Sequence, residues 1–234
     1  EFRRVLFRST GNAERGTRIT REVLELSSGI TIGFSNSAGL LGLVALCVFA
    51  AQTAQEYTYG TLRNLLVREP RRIRLLIGKY LSMSVFSLIS VIVSAITSVA
   101  LAFALSGTAK VASAAWRTAE ARNDLLETFL NVLISTIGYG TIGMILGLIL
   151  RSPISSISIG VGWLLVVESI VSIAWSPSAD WMPGSLLGVV AAGGSPIGLE
   201  AGLSYQDALI RVSALLVTAA LATGISFRRR DVAS

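Results

Sequence analysis

Five apolar runs decide what this chain can fold into, since each reaches or exceeds the roughly 20 residues that carry a helix across about 30 Å of hydrocarbon. They lie near residues 32–54, 75–105, 128–150, 154–175 and 208–227. Lipid offers no water to backbone groups, so a spanning segment is a helix or part of a closed barrel. The alternating ten-residue strands of a barrel are absent. The expectation is an all-α, polytopic transmembrane helical bundle with five visible spans. The second run is too long for one perpendicular crossing, so it tilts or begins in the interface. Composition agrees: 52% of the 234 residues are hydrophobic and 15% charged, against about a quarter charged in soluble domains.

The net charge of +6 would allow nucleic acid as a partner, but its distribution does not favour one. The basic residues cluster in short stretches between the apolar runs, which suits an anionic membrane surface better than a basic groove. Arg63, Arg68, Arg71, Arg72, Arg74 and Lys79 lie between spans one and two, Arg151 between three and four, and Arg228, Arg229 and Arg230 in the tail. If every run crosses, these places share one side, which the positive-inside rule makes the cytoplasm. The C-terminus is then cytoplasmic, and residues 10–31 form an extracytoplasmic segment before a membrane domain of residues 32–234. Arg3, Arg4 and Arg8 conflict with an external N-terminus. The conflict eases if residues 1–9 are non-native, since Leu6-Phe7-Arg8-Ser9 matches one frame of a common sequencing adaptor. It eases further if an upstream span makes six in the complete protein.

Much chemistry is excluded. The chain has no histidine and a single cysteine, Cys47, inside an apolar run. His-based triads and His-ligated zinc or haem are ruled out, and no catalytic or metal site is expected. No Gly-x-x-x-x-Gly-Lys-[Ser/Thr] phosphate loop is present, so this chain is not expected to bind a cofactor or hydrolyse ATP.

The stretch Gln55 to Arg72 carries the most information. Leu62, Leu65 and Leu66 fall on one face of a short helix, with Arg63 and Arg68 off that face. Pro70 favours a break at Glu69. The picture is a short amphipathic helix that lies on the membrane surface or in a groove of another protein. Its residues Glu56, Gly60, Thr61, Leu62, Arg63, Leu66, Pro70 and Arg72, followed by Gly78-Lys79, resemble the permease subunits of type-2 ABC exporters. The tail Phe227-Arg228-Arg229-Arg230-Asp231 and the external Trp181-Met182-Pro183 resemble that family as well, and the resemblance spans roughly residues 30–234. It implies that Glu56, Gly60, Thr61, Leu62, Arg63, Leu65, Leu66, Arg68, Pro70 and Arg72 form a cytoplasmic coupling element against a separate ABC ATPase subunit, where ATP and Mg would bind. It also implies a second permease copy or paralogue and a location in a bacterial or archaeal cytoplasmic membrane. The alternative is a secondary transporter or channel with no ATPase. An intramembrane protease is weakened by the missing histidine and by the single clear acid within a span.

That acid is Glu168, in the run Leu164 to Ile170. An ionised carboxylate in a membrane is costly unless paired or wet. It reads either as a cavity-facing group that contacts substrate or as a hydrogen-bonded acid at a helix interface, with Asn131 and neighbouring Ser or Thr as candidate partners. Gly143 and Gly147 form a Gly-x-x-x-Gly pair, expected to pack helices within the subunit rather than to form a dimer face. Arg211 is expected to snorkel to the interface. Gly184 to Leu203, interrupted by Pro196, reads as a short re-entrant or interfacial hairpin.

Overall fold

A computed structural model describes residues 21–61, 71–193 and 203–229. Among these there is no strand, and five helices are long and apolar enough to cross a membrane: Ser27–Thr58, Ile73–Ala109, Ala119–Leu150, Pro153–Ala174 and Tyr205–Phe227. The fold is an all-α transmembrane bundle with five such helices. In chain order the α-helical elements are α1 (Arg21–Leu24), α2 (Ile32–Asn36), α3 (Ala38–Thr58), α4 (Arg72–Ala109), α5 (Ala119–Leu150), α6 (Pro153–Gly162), α7 (Glu168–Ala174), α8 (Pro183–Ala191) and α9 (Tyr205–Arg229). A π-turn, Trp163–Val167, joins α6 to α7 within the fourth span.

The helices outrun the apolar runs because caps, not hydropathy, stop them. The third span starts at Ala119 rather than near 128, since the Thr118 hydroxyl accepts the Ala121 amide at 3.2 Å and satisfies one of the four orphan donors there. Most of the mixed-charge segment 106–127 is therefore helical. At the other end of α5, Arg151 takes a left-handed φ of 54° and Ser152 caps α6, with Pro153 in its first turn. That joint lets spans three and four turn back within two residues. α4 has 38 residues, about 56 Å at 1.5 Å per residue. It exceeds the hydrocarbon thickness, as its apolar run implied.

Close backbone approach of α3 and α5 forms the centre of the bundle. Hydrophobic burial gives little drive between helices in lipid, so shape and small residues decide which helices meet. A methyl on Gly143 would lie 2.2 Å from the Leu46 carbonyl oxygen, and one on Gly147 would lie 2.9 Å from that of Ala50. The Gly143–Gly147 pair thus packs against α3 of the same chain. Phe49, Leu46 and Phe34 are fully buried beside this seam. By contrast α4 is mostly uncovered: Ile77, Leu81, Val85, Ile89, Val93 and Ile96 are all more than half exposed. An open groove of about 660 Å³ separates α4 from α9 over the face of α5.

The bundle has two chemically distinct ends. The basic end gathers the close of α3, the start of α4, the Arg151 joint and the close of α9. There Tyr57, Leu75, Leu76 and Tyr80 pack on a cluster containing Phe49, Met83, Leu148 and Phe227. The far end gathers α1, the α4–α5 connection and α8. The Trp116 indole donates to the Leu24 carbonyl at 2.9 Å and the Ser27 hydroxyl to Asp124 at 2.9 Å.

Candidate functional site

At the basic end, α3 closes on a left-handed glycine. Gly60 has φ +66° and its amide donates to the Tyr57 carbonyl at 3.3 Å, a helix stop that a residue with a Cβ adopts only with strain. One turn earlier, Glu56 pairs with Lys79 of α4 at 2.6 Å, and Lys79 also donates to the Gln52 carbonyl. Both side chains are largely buried, 22% and 14% exposed. Arg151 stacks on the Tyr57 ring at 5.4 Å. Two residues 23 positions apart in sequence thus clamp together the ends of the stretch 56–79. Thr61 is exposed. Arg72 begins α4. Leu62, Arg63, Leu65, Leu66, Arg68 and Pro70 lie outside the described residues.

A second polar constellation lies at the far end, around Glu168. Asn131, one of the candidate partners, is engaged elsewhere. The Asn131 side-chain oxygen instead accepts the Tyr205 hydroxyl at 2.8 Å, and its amide lies beside Gly193, whose φ is +72°. Asn131 therefore fixes where the chain leaves α8 and where it enters α9. Glu168 is buried, 4% exposed: Oε1 accepts the Gly184 amide and Oε2 the Ser185 amide, each at 3.0 Å, and the Ser185 and Trp163 side chains also hydrogen-bond to the carboxylate. Glu168 sits 15 residues beyond Pro153, about 22 Å along the helix, just past the π-turn. Hydropathy could not reveal the two amide partners, because a backbone amide has no residue type.

Of the segment 184–203, residues 184–191 belong to α8, which packs against α5 and α9, and residues 194–202 lie outside the described residues. Pro183 removes one of the helix's orphan donors, Glu168 takes two, and the Met182 amide donates to the Ser178 carbonyl at 3.1 Å. All four donors that a helix N-terminus leaves open are accounted for. The positive end of the helix dipole and the buried carboxylate also offset each other. Side chains of α5 hold the carbonyl side: the Tyr139 hydroxyl donates to Gly184 at 3.0 Å and the Ser135 hydroxyl to Leu187 at 2.9 Å. Leu186, Leu187 and Val190 are buried against α5 and α9. Ser135→Ala and Tyr139→Phe are each expected to lower stability by about 0.5–1.5 kcal/mol, as single hydrogen bonds in membrane proteins do; unfolding midpoints in detergent check this. Arg211 reaches the same region, donating to the Asp180 carbonyl at 3.0 Å with its guanidinium 4.9 Å from the Trp181 ring. It therefore has a defined protein partner at the end of its span.

Among the described residues no group of three or more His, Cys, Asp or Glu side chains could hold a metal ion. Fold and site together define a polytopic helical membrane protein with a clamped basic end and a short helix, α8, capped by an internal carboxylate. Residues 20–233 match a family described as "Protein of unknown function (DUF2705)", and the chain belongs to that family. It is 25% identical over 215 residues to "Uncharacterized protein YhcI" of Bacillus subtilis (strain 168), a match covering 86% of this chain and 67% of that protein. No solved structure matches the chain.

Proposed function

We propose that the chain is the membrane-spanning permease subunit of an ATP-driven exporter of the type-2 ABC class. The observation that carries this reading is the Glu56–Lys79 clamp. Both residues belong to the motif that resembles that class, and their pairing fixes the stretch between them to two spans at once. A push on that stretch by a partner subunit would reach α3 and α4 together, which a coupling element requires. The charge pattern supports the same placement. Arg71, Arg72, Arg74, Lys79 and Arg151 gather at the basic end, while the far end mixes Lys110, Arg117, Arg122 and Arg211 with Glu120, Asp124, Glu127, Asp180 and Asp207. The basic end and the C-terminus then face the cytoplasm of a bacterial or archaeal cell. A second permease chain completes the pathway, and the ATPase partner binds ATP and Mg.

A secondary transporter or channel is the other reading, favoured by a short helix, α8, whose N-terminus is buried in the bundle. In such carriers a broken helix points its N-terminus at an anionic substrate. Here the chain's own Glu168 fills that position, which favours a structural use of the helix. Affinity purification of the tagged chain from its native membrane, followed by mass spectrometry, separates the two. Recovery of a stoichiometric subunit with a phosphate loop is the expected result. Purification of intact, folded chain with no such subunit would overturn the exporter reading.

A further inference from the structure

The fourth span is held differently in its two halves. α6 packs on α3 and α5, with Ser156 and Gly160 buried. Beyond the π-turn the outer half presents Ile170, 60% exposed, and Ile173, 87% exposed, and within the turn Leu165 and Val166 are also more than half exposed. Glu168 is the buried residue of α7, and its carboxylate spans the gap to α8. α8 itself is anchored independently, through Tyr139, Ser135 and its buried leucines.

The π-turn decides whether Glu168 can reach. The Glu168 amide donates to the Trp163 carbonyl five residues back, so one extra residue is accommodated in this turn. Single-turn π-bulges are unstable relative to the α-register unless something else holds them. Passing the extra residue along the helix would rotate position 168 by roughly one residue's turn, about 100°. That rotation would carry the carboxylate off the Gly184 and Ser185 amides. Gly184 permits the close seat, since a methyl there would lie 2.6 Å from Oε2.

We propose that Glu168 is a latch that ties the outer half of the fourth span to α8, with the π-turn Trp163–Val167 as the register hinge behind it. Two arrangements follow. With the bulge before Glu168 the latch is closed, as in this structure. With the bulge passed on, α7 is released while α8 stays seated on α5. The far end of the bundle then opens between α7 and α8. This device rests on the seat itself, whatever partner drives it.

Distance measurement between spin labels tests it in the full chain, reconstituted in lipid nanodiscs. Labels go on Ile173→Cys and Gly188→Cys in a Cys47→Ala background. Ile173 is well exposed and Gly188 faces open space, so neither label disturbs the seat. The parent is expected to give one narrow distance distribution. Glu168→Ala is expected to add a second, longer-distance population that becomes dominant, and Glu168→Gln, which keeps one accepting oxygen in the same volume, a mixture. Ser169→Ala is the control, because its hydroxyl bonds only its own helix at the Leu165 carbonyl; it is expected to match the parent. A parent-like distribution in Glu168→Ala, or the same shift in Ser169→Ala, would overturn the latch. If Glu168→Ala does not accumulate, an unchanged distribution in Glu168→Gln overturns it instead.

Discussion

Gly143→Val is expected to cost this protein most of its folded population, about 3 kcal/mol or more, at the upper end of what overpacking does. The reason is the identity of the atom it meets. A Cβ at Gly143 would fall 2.2 Å from the Leu46 carbonyl oxygen, which is helix backbone and cannot swing aside. The helices α3 and α5 would have to separate, and their separation would unpack Phe49, Met144 and Leu148 with them. Gly138→Ala provides the contrast. Its nearest neighbour would be the Leu187 methyl at 2.4 Å, the end of a side chain with other rotamers, so a smaller loss of about 1–2 kcal/mol is expected. Yield of monodisperse protein and thermal unfolding in detergent would rank the two. Equal behaviour would mean that the α3–α5 seam is looser than its geometry.

The spans were legible in the sequence because lipid demands long, uninterrupted apolar helices, and all five apolar runs lie in helices able to cross. The packing role of Gly143 and Gly147 was legible for a similar reason: small residues spaced four apart on an apolar helix have few other uses. Helix ends were less legible. α5 begins nine residues before the apolar run, because Thr118 and the charged face of 119–127 sustain a helix that hydropathy cannot see. The partners of Glu168 were legible only in part. A neighbouring Ser was among the candidates, and the Ser185 side chain does bond it, but side-chain reasoning does not find the amides of a helix 16 and 17 residues later. One sign was available: Pro183-Gly184 marks a helix start whose donors need an acceptor. The π-turn left no mark in the sequence, since Trp163-Leu164-Leu165-Val166-Val167 suits an α-helix equally well. The clamp was half legible. Glu56 and Lys79 stood in one motif, but only the antiparallel return of α4 onto α3 brings them within 2.6 Å.

That clamp carries the second large effect. Lys79→Glu would set two carboxylates against each other in a place where both side chains are mostly buried. Breaking a buried pair costs 3–5 kcal/mol and an exposed one less than 1, so with partial access to water here about 2–3 kcal/mol of local destabilisation is expected. The bundle should survive this, because Phe49, Met83 and Phe227 still hold the basic end. What should fail is the joint motion of α3 and α4, since their ends would repel rather than travel together. In the exporter reading, ATP hydrolysis by the partner would continue while transport fell at least tenfold. Reversing the pair, Glu56→Lys with Lys79→Glu, restores the attraction but not every contact. Lys79 also donates to the Gln52 carbonyl, and a glutamate at 79 has no proton to offer. Recovery of transport should therefore be partial, while recovery of the unfolding midpoint should be nearly complete. If the double reversal were no better than Lys79→Glu alone on both readouts, the clamp would be incidental to function. Restored stability without any restored transport would place the motion elsewhere in the stretch 56–79.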